Sequence, residues 1–167
     1  MAQIPRIPKS YVVHGPFQVT RDDDDKFVAD HSHDWESVVD KYGCYVYAVK
    51  FGDHLRPWYA GRTKRSFRQE IFTPHKQEKL ALISKKFERG MLVVFIVAPA
   101  VGRGRPNLKY VREIEKYLIS CCYEVNSDTV NIQDLPRTTW NIEEVTSSIR
   151  GRPRHNAAAA FCTMFDL

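Results

Sequence analysis

The sequence predicts an α/β or α+β domain built on a small mixed or antiparallel sheet. Two kinds of segment and their order predict this class: valine- and tyrosine-rich runs of strand length alternate with amphipathic stretches of helical period, as strand, strand, helix, strand, helix. The 167 residues are enough for one domain with a hydrophobic core, and the hydrophobic fraction of 43% is that of an ordinary globular protein.

The strands are predicted from three segments. Residues 44–51 are rich in Val and Tyr, residues 52–57 carry turn-forming Gly, Asp and Pro, and residues 58–62 can form the returning strand of a hairpin. The apolar run from Met91 to Ala98 predicts a buried central strand, and it is far too short to cross a membrane.

The helices are predicted from their starts and their apolar faces. Ser66 with Gln69 matches a capping box, Pro74 suits a first helical position, and Asn107 can cap a helix that extends to about Cys122. The apolar faces are Leu80, Ile83 and Phe87 in the helix after Pro74, and Val111, Ile114, Leu118 and Cys122 in the helix after Asn107.

The chain is expected to have a central domain and two extensions. The predicted segments are 1–36 (an irregular N-terminal extension), 37–131 (the core domain) and 132–167 (a C-terminal extension that packs on the domain). Pro5, Pro8 and Pro16 predict irregular structure before the core, and Asp22–Asp25 forms a solvated acidic run.

Charge and cysteine content indicate which partners and which cellular compartment to expect. A net charge of +5 and a pI near 9.0 permit a polyanionic partner without requiring one. The four cysteines lie in apolar segments without Cys-x-x-Cys spacing, which indicates buried free thiols. Residues 1–10 contain no apolar signal segment. We therefore expect a cytoplasmic protein with no membrane partner.

Glu115 is the strongest single candidate for chemistry. It lies four residues after Val111 and three before Leu118, so its carboxylate borders the apolar stripe of the last helix. A carboxylate in that position must be paired or bound to a metal, because an isolated buried charge is costly. Mg²⁺ suits one carboxylate combined with waters and phosphate oxygens, whereas the alternative is a salt bridge to an arginine or a head group that reaches solvent.

Tyr45 and Tyr59 are notable as a pair. Each alone is a common strand residue that packs across strands, but here one lies on each arm of the predicted hairpin. Gly61 follows the second tyrosine and allows the backbone to approach closely where a side chain would not fit. Tyr47 shares a strand face with Tyr45, so the choice of a catalytic base between these two phenols stays open.

A basic cluster follows Gly61 directly. Its members are Arg62, Lys64, Arg65 and Arg68. They can clamp phosphate groups beside the tyrosines, or they can form the solvated face of a helix.

Three motifs together resemble the GIY-YIG nuclease superfamily. They are Gly43-Cys44-Tyr45, Tyr59-Ala60-Gly61 and Glu115-Lys116-Tyr117-Leu118-Ile119. The segment from Phe67 to Lys76 is similar to a helix of a divergent, poorly characterised bacterial or phage-like branch of that superfamily. The resemblance covers about residues 40–131 and implies a three-stranded antiparallel sheet flanked by helices, which makes residues 37–131 a GIY-YIG-like catalytic domain.

The resemblance implies a metal-dependent endonuclease that hydrolyses phosphodiester bonds of DNA, or less readily of RNA. Glu115 would hold Mg²⁺ or Mn²⁺, and Tyr45 and Tyr59 would prepare the nucleophile. The position of the family's arginine is Gln69 here. Arg65 or Arg68, together with Arg62, would then balance the phosphate charge.

The divergent branch implies further site residues. In that branch Glu70 and His75 would replace parts of the usual site as catalytic groups. Separately, Gly61, Lys64 and Lys76 are predicted to contact nucleic acid. The alternative is that this helix is structural and that Glu70 pairs with a nearby cation.

Two other functions follow from the same residues. The displaced arginine and the Tyr-Ala-Gly form of the second motif favour a GIY-YIG-fold module that binds nucleic acid without turnover. A protein-interaction module with a protein partner is the other alternative.

Overall fold

The computed structural model describes residues 11–100, 107–130, 146–147 and 157–167. In chain order its elements are β1 (Tyr11–Arg21), β2 (Phe27–Ala29), α1 (His33–Val38), β3 (Cys44–Phe51), β4 (His54–Arg62), α2 (Phe67–Glu70), α3 (Pro74–Ser84), β5 (Met91–Pro99), α4 (Leu108–Val125), β6 (Thr146–Ser147) and α5 (Ala157–Phe165). The predicted boundary between residues 131 and 132 lies outside the described ranges.

The strands form one sheet in the order β2-β1-β5-β3-β4, and all neighbours in that order are antiparallel. The short strand β6 pairs in parallel with β1. With helices packed on the sheet, the α+β class is confirmed. The prediction of a three-stranded sheet is wrong, because β1, β2 and β6 extend the sheet beyond β5.

The prediction that residues 1–36 are irregular is also wrong for the part of that segment the structure describes. Strand β1 pairs with β5, and its register shifts between His14 and Phe17. Pro16 lies in this irregularity, where its missing N–H is tolerated because the ladder is already interrupted. The acidic run Asp22–Asp25 is the turn of the β1–β2 hairpin, closed by a 2.8 Å backbone hydrogen bond.

Strand β3 is buried on both faces. Cys44 and Val46 face a layer formed by α4 and α5, whereas Tyr45 and Tyr47 face a layer formed by α1, α2 and α3. Because both faces are covered, apolar and aromatic residues continue along the strand without polar alternation. The strand therefore carries the two halves of the hydrophobic core.

The predicted helix starts are confirmed. Ser66 Oγ accepts a hydrogen bond from the Gln69 N–H at the start of α2, and Pro74 occupies the first turn of α3. Asn107 Oδ1 accepts from the Tyr110 N–H at the start of α4. The predicted apolar stripe of α4 is buried against the sheet at Val111, Ile114, Leu118 and Cys122.

The C-terminal segment contributes α5, which packs on the same face of the sheet as α4. Phe161 contacts Phe95 of β5 edge to face, with ring centroids 5.5 Å apart. None of the helices in the described ranges is long and apolar enough to span a membrane.

All four cysteines lie in the described ranges, and each is a free thiol. Cys44, Cys121 and Cys122 are buried, as predicted, and Cys162 is partly exposed.

His14 on β1 is a partly buried histidine that resists protonation. Burial, followed by the charge of Lys41, lowers the pKa of His14 to about 4, and Asp34 opposes this shift. A histidine in the unfolded chain has a pKa of about 6.5. Between these two values the unfolded chain binds a proton that the folded chain excludes, so the stability falls as the pH is lowered through this window.

We expect His14→Asn to reduce this loss of stability. Because the imidazole is only partly buried, the loss between about pH 6.5 and pH 4 is on the order of 1–2 kcal/mol in the wild type. Urea unfolding of both proteins across this pH range measures it. Parallel plots of unfolding free energy against pH would contradict the assignment.

Candidate active site

Two signature tyrosines and Tyr47 meet on one face of the β3–β4 hairpin. Tyr45 pairs with Gly61 and Tyr47 pairs with Tyr59 across the ladder. The ring centroids lie 5.3 Å apart for Tyr45 and Tyr47, 6.1 Å for Tyr45 and Tyr59, and 5.5 Å for Tyr47 and Tyr59. The sheet therefore brings the two predicted phenols together, with a third beside them.

The structure separates the roles of Tyr45 and Tyr47. The Tyr47 hydroxyl donates a hydrogen bond to the Ile71 carbonyl oxygen, and the side chain is fully buried. Burial raises the pKa of Tyr47 well above its usual range. Tyr47 therefore connects β3 to the end of α2, and Tyr45 is the better candidate for chemistry.

The Tyr45 hydroxyl is buried beside the Tyr47 and Tyr59 hydroxyls, which interact with it, although none of the described residues forms a hydrogen bond of standard geometry with it. Burial, followed by the neighbouring Tyr47 and Tyr59 phenols and the Glu115 carboxylate, raises the pKa of Tyr45 well above its usual range. A buried polar group without a partner is costly.

Gly61 makes room for this phenol. A Cβ atom at residue 61 would lie 2.6 Å from the Tyr45 hydroxyl oxygen and 2.8 Å from Tyr59 Cε1. The glycine of the second motif is therefore required by the packing of both signature tyrosines.

Lys76, in the first turn of α3, contacts the cluster formed by Tyr45, Tyr47 and Tyr59. Its Nζ donates a hydrogen bond to the Tyr59 hydroxyl, and it lies 4.8 Å from the Tyr59 ring centroid and 5.9 Å from that of Tyr45. The sequence predicted Lys76 only as a nucleic-acid contact. No feature of the sequence distinguished it from the adjacent His75, which the structure places elsewhere.

Glu115 approaches from α4, on the other face of the sheet. Its Oε2 forms an ion pair with Arg62 Nε at 2.7 Å. The Glu115 side chain is 21% exposed and the Arg62 side chain is 27% exposed. Burial raises the pKa of Glu115, whereas the charges of Arg62, Lys76 and Arg112 lower it. Three cations thus act on one carboxylate, which leaves an excess of positive charge at the cluster.

Arg68 lies outside this cluster. Its guanidinium binds Glu36 at 2.8 Å and Asp40 at 2.9 Å, both on the α1 side of the hairpin. Its predicted place beside the phosphate does not fit this arrangement, because two carboxylates already occupy its donors. Gln69, at the position of the family's arginine, is exposed.

The other predicted residues of this segment also stay apart from the tyrosines. His75 is 65% exposed, and its nearest carboxylate is Glu78 at 3.9 Å. The Glu70 side chain is partly exposed and forms no hydrogen bond or ion pair with the clustered residues. The positions of His75 and Glu70 therefore do not support a catalytic role.

A basic surface adjoins the cluster. The Thr63 N–H donates to the Gly43 carbonyl at 2.8 Å and the Phe67 N–H donates to the Lys41 carbonyl at 3.0 Å, so the two chain segments run side by side. This pairing brings exposed cations together at the same end of the hairpin: Lys41, Lys64 and Arg65. These side chains have no ion-pair partner in the part of the chain that the structure describes.

The described residues contain no group of three or more His, Cys, Asp or Glu side chains that could enclose a metal ion. Glu115 is the one carboxylate of the cluster, and a single carboxylate suits a hard cation that keeps several waters and binds substrate phosphate. The donor set thus fits Mg²⁺ or Mn²⁺ and does not fit a structural zinc site.

Comparisons of the chain with protein-family models, with curated proteins and with solved structures found no match. The resemblance to GIY-YIG nucleases therefore stays a prediction that depends on the motifs quoted above.

We expect Gly61→Ala to destabilise the fold by roughly 1–3 kcal/mol, because the new methyl group overlaps the Tyr45 phenol. The same substitution should cost less in a Tyr45→Leu background, where the main obstacle is gone. A double-mutant cycle of unfolding free energies measures this coupling. Equal costs in both backgrounds would mean that Tyr45 does not impose the glycine.

Proposed function

We propose that the protein is a metal-dependent endonuclease that hydrolyses phosphodiester bonds of DNA by a GIY-YIG-type mechanism. The observation that carries this proposal is the position of five polar side chains near one end of the hairpin, in two contact groups: two tyrosines with a lysine on the α3 face of the sheet, and an arginine–glutamate ion pair on the α4 face. They are Tyr45, Tyr59, Arg62, Lys76 and Glu115.

Glu115 would hold the metal ion. Bound Mg²⁺ or Mn²⁺ would supply a Lewis acid that neutralises charge on the phosphodiester and on its leaving oxygen. In the free protein Arg62 occupies Oε2 of this carboxylate at 2.7 Å. Arg62 thus keeps a partly buried charge paired until another cation or a phosphate group competes for the two partners.

The two tyrosines would act in series. The Tyr45 side chain is fully buried, whereas the Tyr59 side chain is 7% exposed to solvent and its hydroxyl binds Lys76. Tyr59 is therefore the phenol that contacts the attacking water. Tyr45 would position Tyr59 from behind, in the pocket that Gly61 leaves open.

The exposed cations beside the cluster would bind the nucleic-acid backbone. Lys41, Lys64 and Arg65 lie on paired segments next to the tyrosines. Their charges are available for phosphate contacts, which fix position without reading sequence. Sequence preference would then come from other parts of the chain or from a protein partner.

A non-catalytic nucleic-acid-binding module is the second candidate. It is favoured by one observation: Arg68 is bound to Glu36 and Asp40, and residue 69 is an exposed Gln, so α2 supplies no arginine to the cluster. Such a module would bind DNA with a strong salt dependence and would not need Glu115.

We propose a cytoplasmic location, supported by the four free thiols. Disulfides are rare in reducing compartments, and buried thiols are stable there.

Cleavage of supercoiled plasmid and of single-stranded DNA with Mg²⁺ or Mn²⁺ tests the function. We expect metal-dependent nicking that falls at least about 100-fold in Glu115→Gln, because the variant loses the charge that holds the metal. Glu113→Gln is the matched control, since Glu113 lies on the same helix and pairs only with Lys116 at 3.7 Å among the described residues.

The other outcomes are equally informative. Nicking that survives in Glu115→Gln would place the activity at another site or in a contaminant. Salt-sensitive DNA binding without cleavage by either protein would favour the non-catalytic module.

Arg62→Gln should raise the affinity of the free protein for Mn²⁺, because the variant removes the cation that competes for Glu115. Electron paramagnetic resonance of free Mn²⁺ in titrations without DNA measures this affinity. A Mn²⁺ affinity that is unchanged or weaker in the variant would show that Arg62 does not compete with the metal ion for Glu115.

A further inference from the structure

We propose that Lys76 is a catalytic residue of this site, which binds a non-bridging oxygen of the scissile phosphate and stabilises the charge that develops on Tyr59. Lys76 would thereby do the work that the family assigns to an arginine on the preceding helix. This inference rests on the proposed nuclease function, and it concerns a residue that was predicted from the sequence only as a general contact with nucleic acid.

The position of the ammonium group supports this role. Lys76 Nζ contacts the Tyr59 hydroxyl oxygen and lies within 5.9 Å of the Tyr45 ring centroid. Its charge also acts on the Glu115 carboxylate, across the hairpin end. No other cation in the described ranges contacts both signature tyrosines.

The donors of Lys76 are not exhausted. An ammonium group has three N–H donors, and one of them binds Tyr59. The structure gives Nζ no second hydrogen bond within the described residues, and the side chain is only partly buried. Two donors are thus free to bind phosphate oxygens while the contact with Tyr59 is kept.

The alternative arginines are less suitable. Arg68 is held by two carboxylates, and Arg62 forms an ion pair with Glu115. Among the described residues, neither guanidinium forms a hydrogen bond with the Tyr45 or Tyr59 hydroxyl. Arg65 has no ion-pair partner among the described residues, but no hydrogen bond or ring contact joins it to either tyrosine there, so Lys76 is the unpaired cation that already lies at the phenols.

The chemistry is ordinary hydrolysis. The oxygen of a water molecule forms a bond to phosphorus, and the bond from phosphorus to the leaving sugar oxygen breaks and takes its electron pair. Tyr59 releases its own proton to solvent, so that negative charge develops on its oxygen, and this oxygen then takes one proton from the attacking water. The leaving oxygen takes a proton from solvent. Lys76 lowers the barrier because its charge is already positioned where negative charge develops.

Lys76→Met and Lys76→Arg test the proposal, with Lys79→Met on the same helix as the matched control. We expect Lys76→Met to lower kcat at least about 100-fold, with a much smaller change in KM, and Lys76→Arg to recover part of this loss. Lys79→Met should cleave as the wild type does. Thermal unfolding checks that the variants fold.

A second measurement does not depend on turnover. The affinity for a short DNA duplex, measured against salt concentration in the presence of EDTA, should show a shallower slope by about one in Lys76→Met and no change in Lys79→Met. An unchanged slope in Lys76→Met would overturn the phosphate contact, even if the wild type does not cleave DNA.

The results separate this inference from the function itself. Cleavage that depends on Glu115 but tolerates Lys76→Met would uphold the nuclease and overturn the role of Lys76. Cleavage that tolerates Lys76→Met and is lost in Arg68→Ala would assign the role to Arg68 instead. The role of Lys76 would also be overturned if kcat in Lys76→Met fell only as much as the amount of folded protein and did not recover in Lys76→Arg.

Discussion

The register of β3 against β4 is the constraint on which the site depends. It places Tyr45 opposite Gly61 and Tyr47 opposite Tyr59. A slip of β3 by one residue would turn Tyr45 and Tyr47 to the other face of the sheet, away from Tyr59, because side chains alternate along a strand. Burial on both faces of β3 prevents this shift, since Cys44 and Val46 are as tightly enclosed by α4 and α5 as the tyrosines are by α2 and α3.

Gly43 reinforces the same register. It has a φ of +153°, and a Cβ atom there would lie 2.1 Å from the Val97 carbonyl oxygen on β5. The glycines of both motifs therefore serve close packing: Gly43 lets β3 begin against β5, and Gly61 lets the Tyr45 phenol lie over β4. The close approaches are thus to the β5 backbone at Gly43 and to the two signature phenols at Gly61.

The sequence predicted those parts of the fold that depend on local pattern. The hairpin, the caps at Ser66 and Asn107 and the stripe of α4 follow from residue spacing within one element. Strand β1 was missed because Gly15 and Pro16 interrupt its pattern, and the structure absorbs them in a register shift that depends on pairing with the distant β5. Pairing between strands far apart in sequence leaves little trace in either strand alone.

For the site, too, the sequence predicts those residues whose position follows from local pattern. Tyr45, Tyr59 and Glu115 could be proposed because each falls at a definite point of a strand or helix. The place of Arg68 could not, because it is set by ion pairs to Glu36 on α1 and to Asp40 just after that helix, in another part of the chain. Lys76 and His75 are adjacent, and one residue on a helix turns the side chain by roughly 100°, so only the packing of α3 decides which one meets Tyr59.

A lysine in this place has chemical consequences that an arginine would not have. The ammonium group is a compact point charge on a flexible stem, whereas a guanidinium binds oxygens in a fixed planar fork. Lys76 reaches Tyr59 from the first turn of α3, past the rings of both signature tyrosines, so its stem needs the aromatic surface that they provide. The third phenol, Tyr47, holds that surface in place through its bond to Ile71 at the end of α2. In the proposed mechanism the aromatic cluster would therefore both supply a base and position the Lys76 ammonium group at the atom where charge develops.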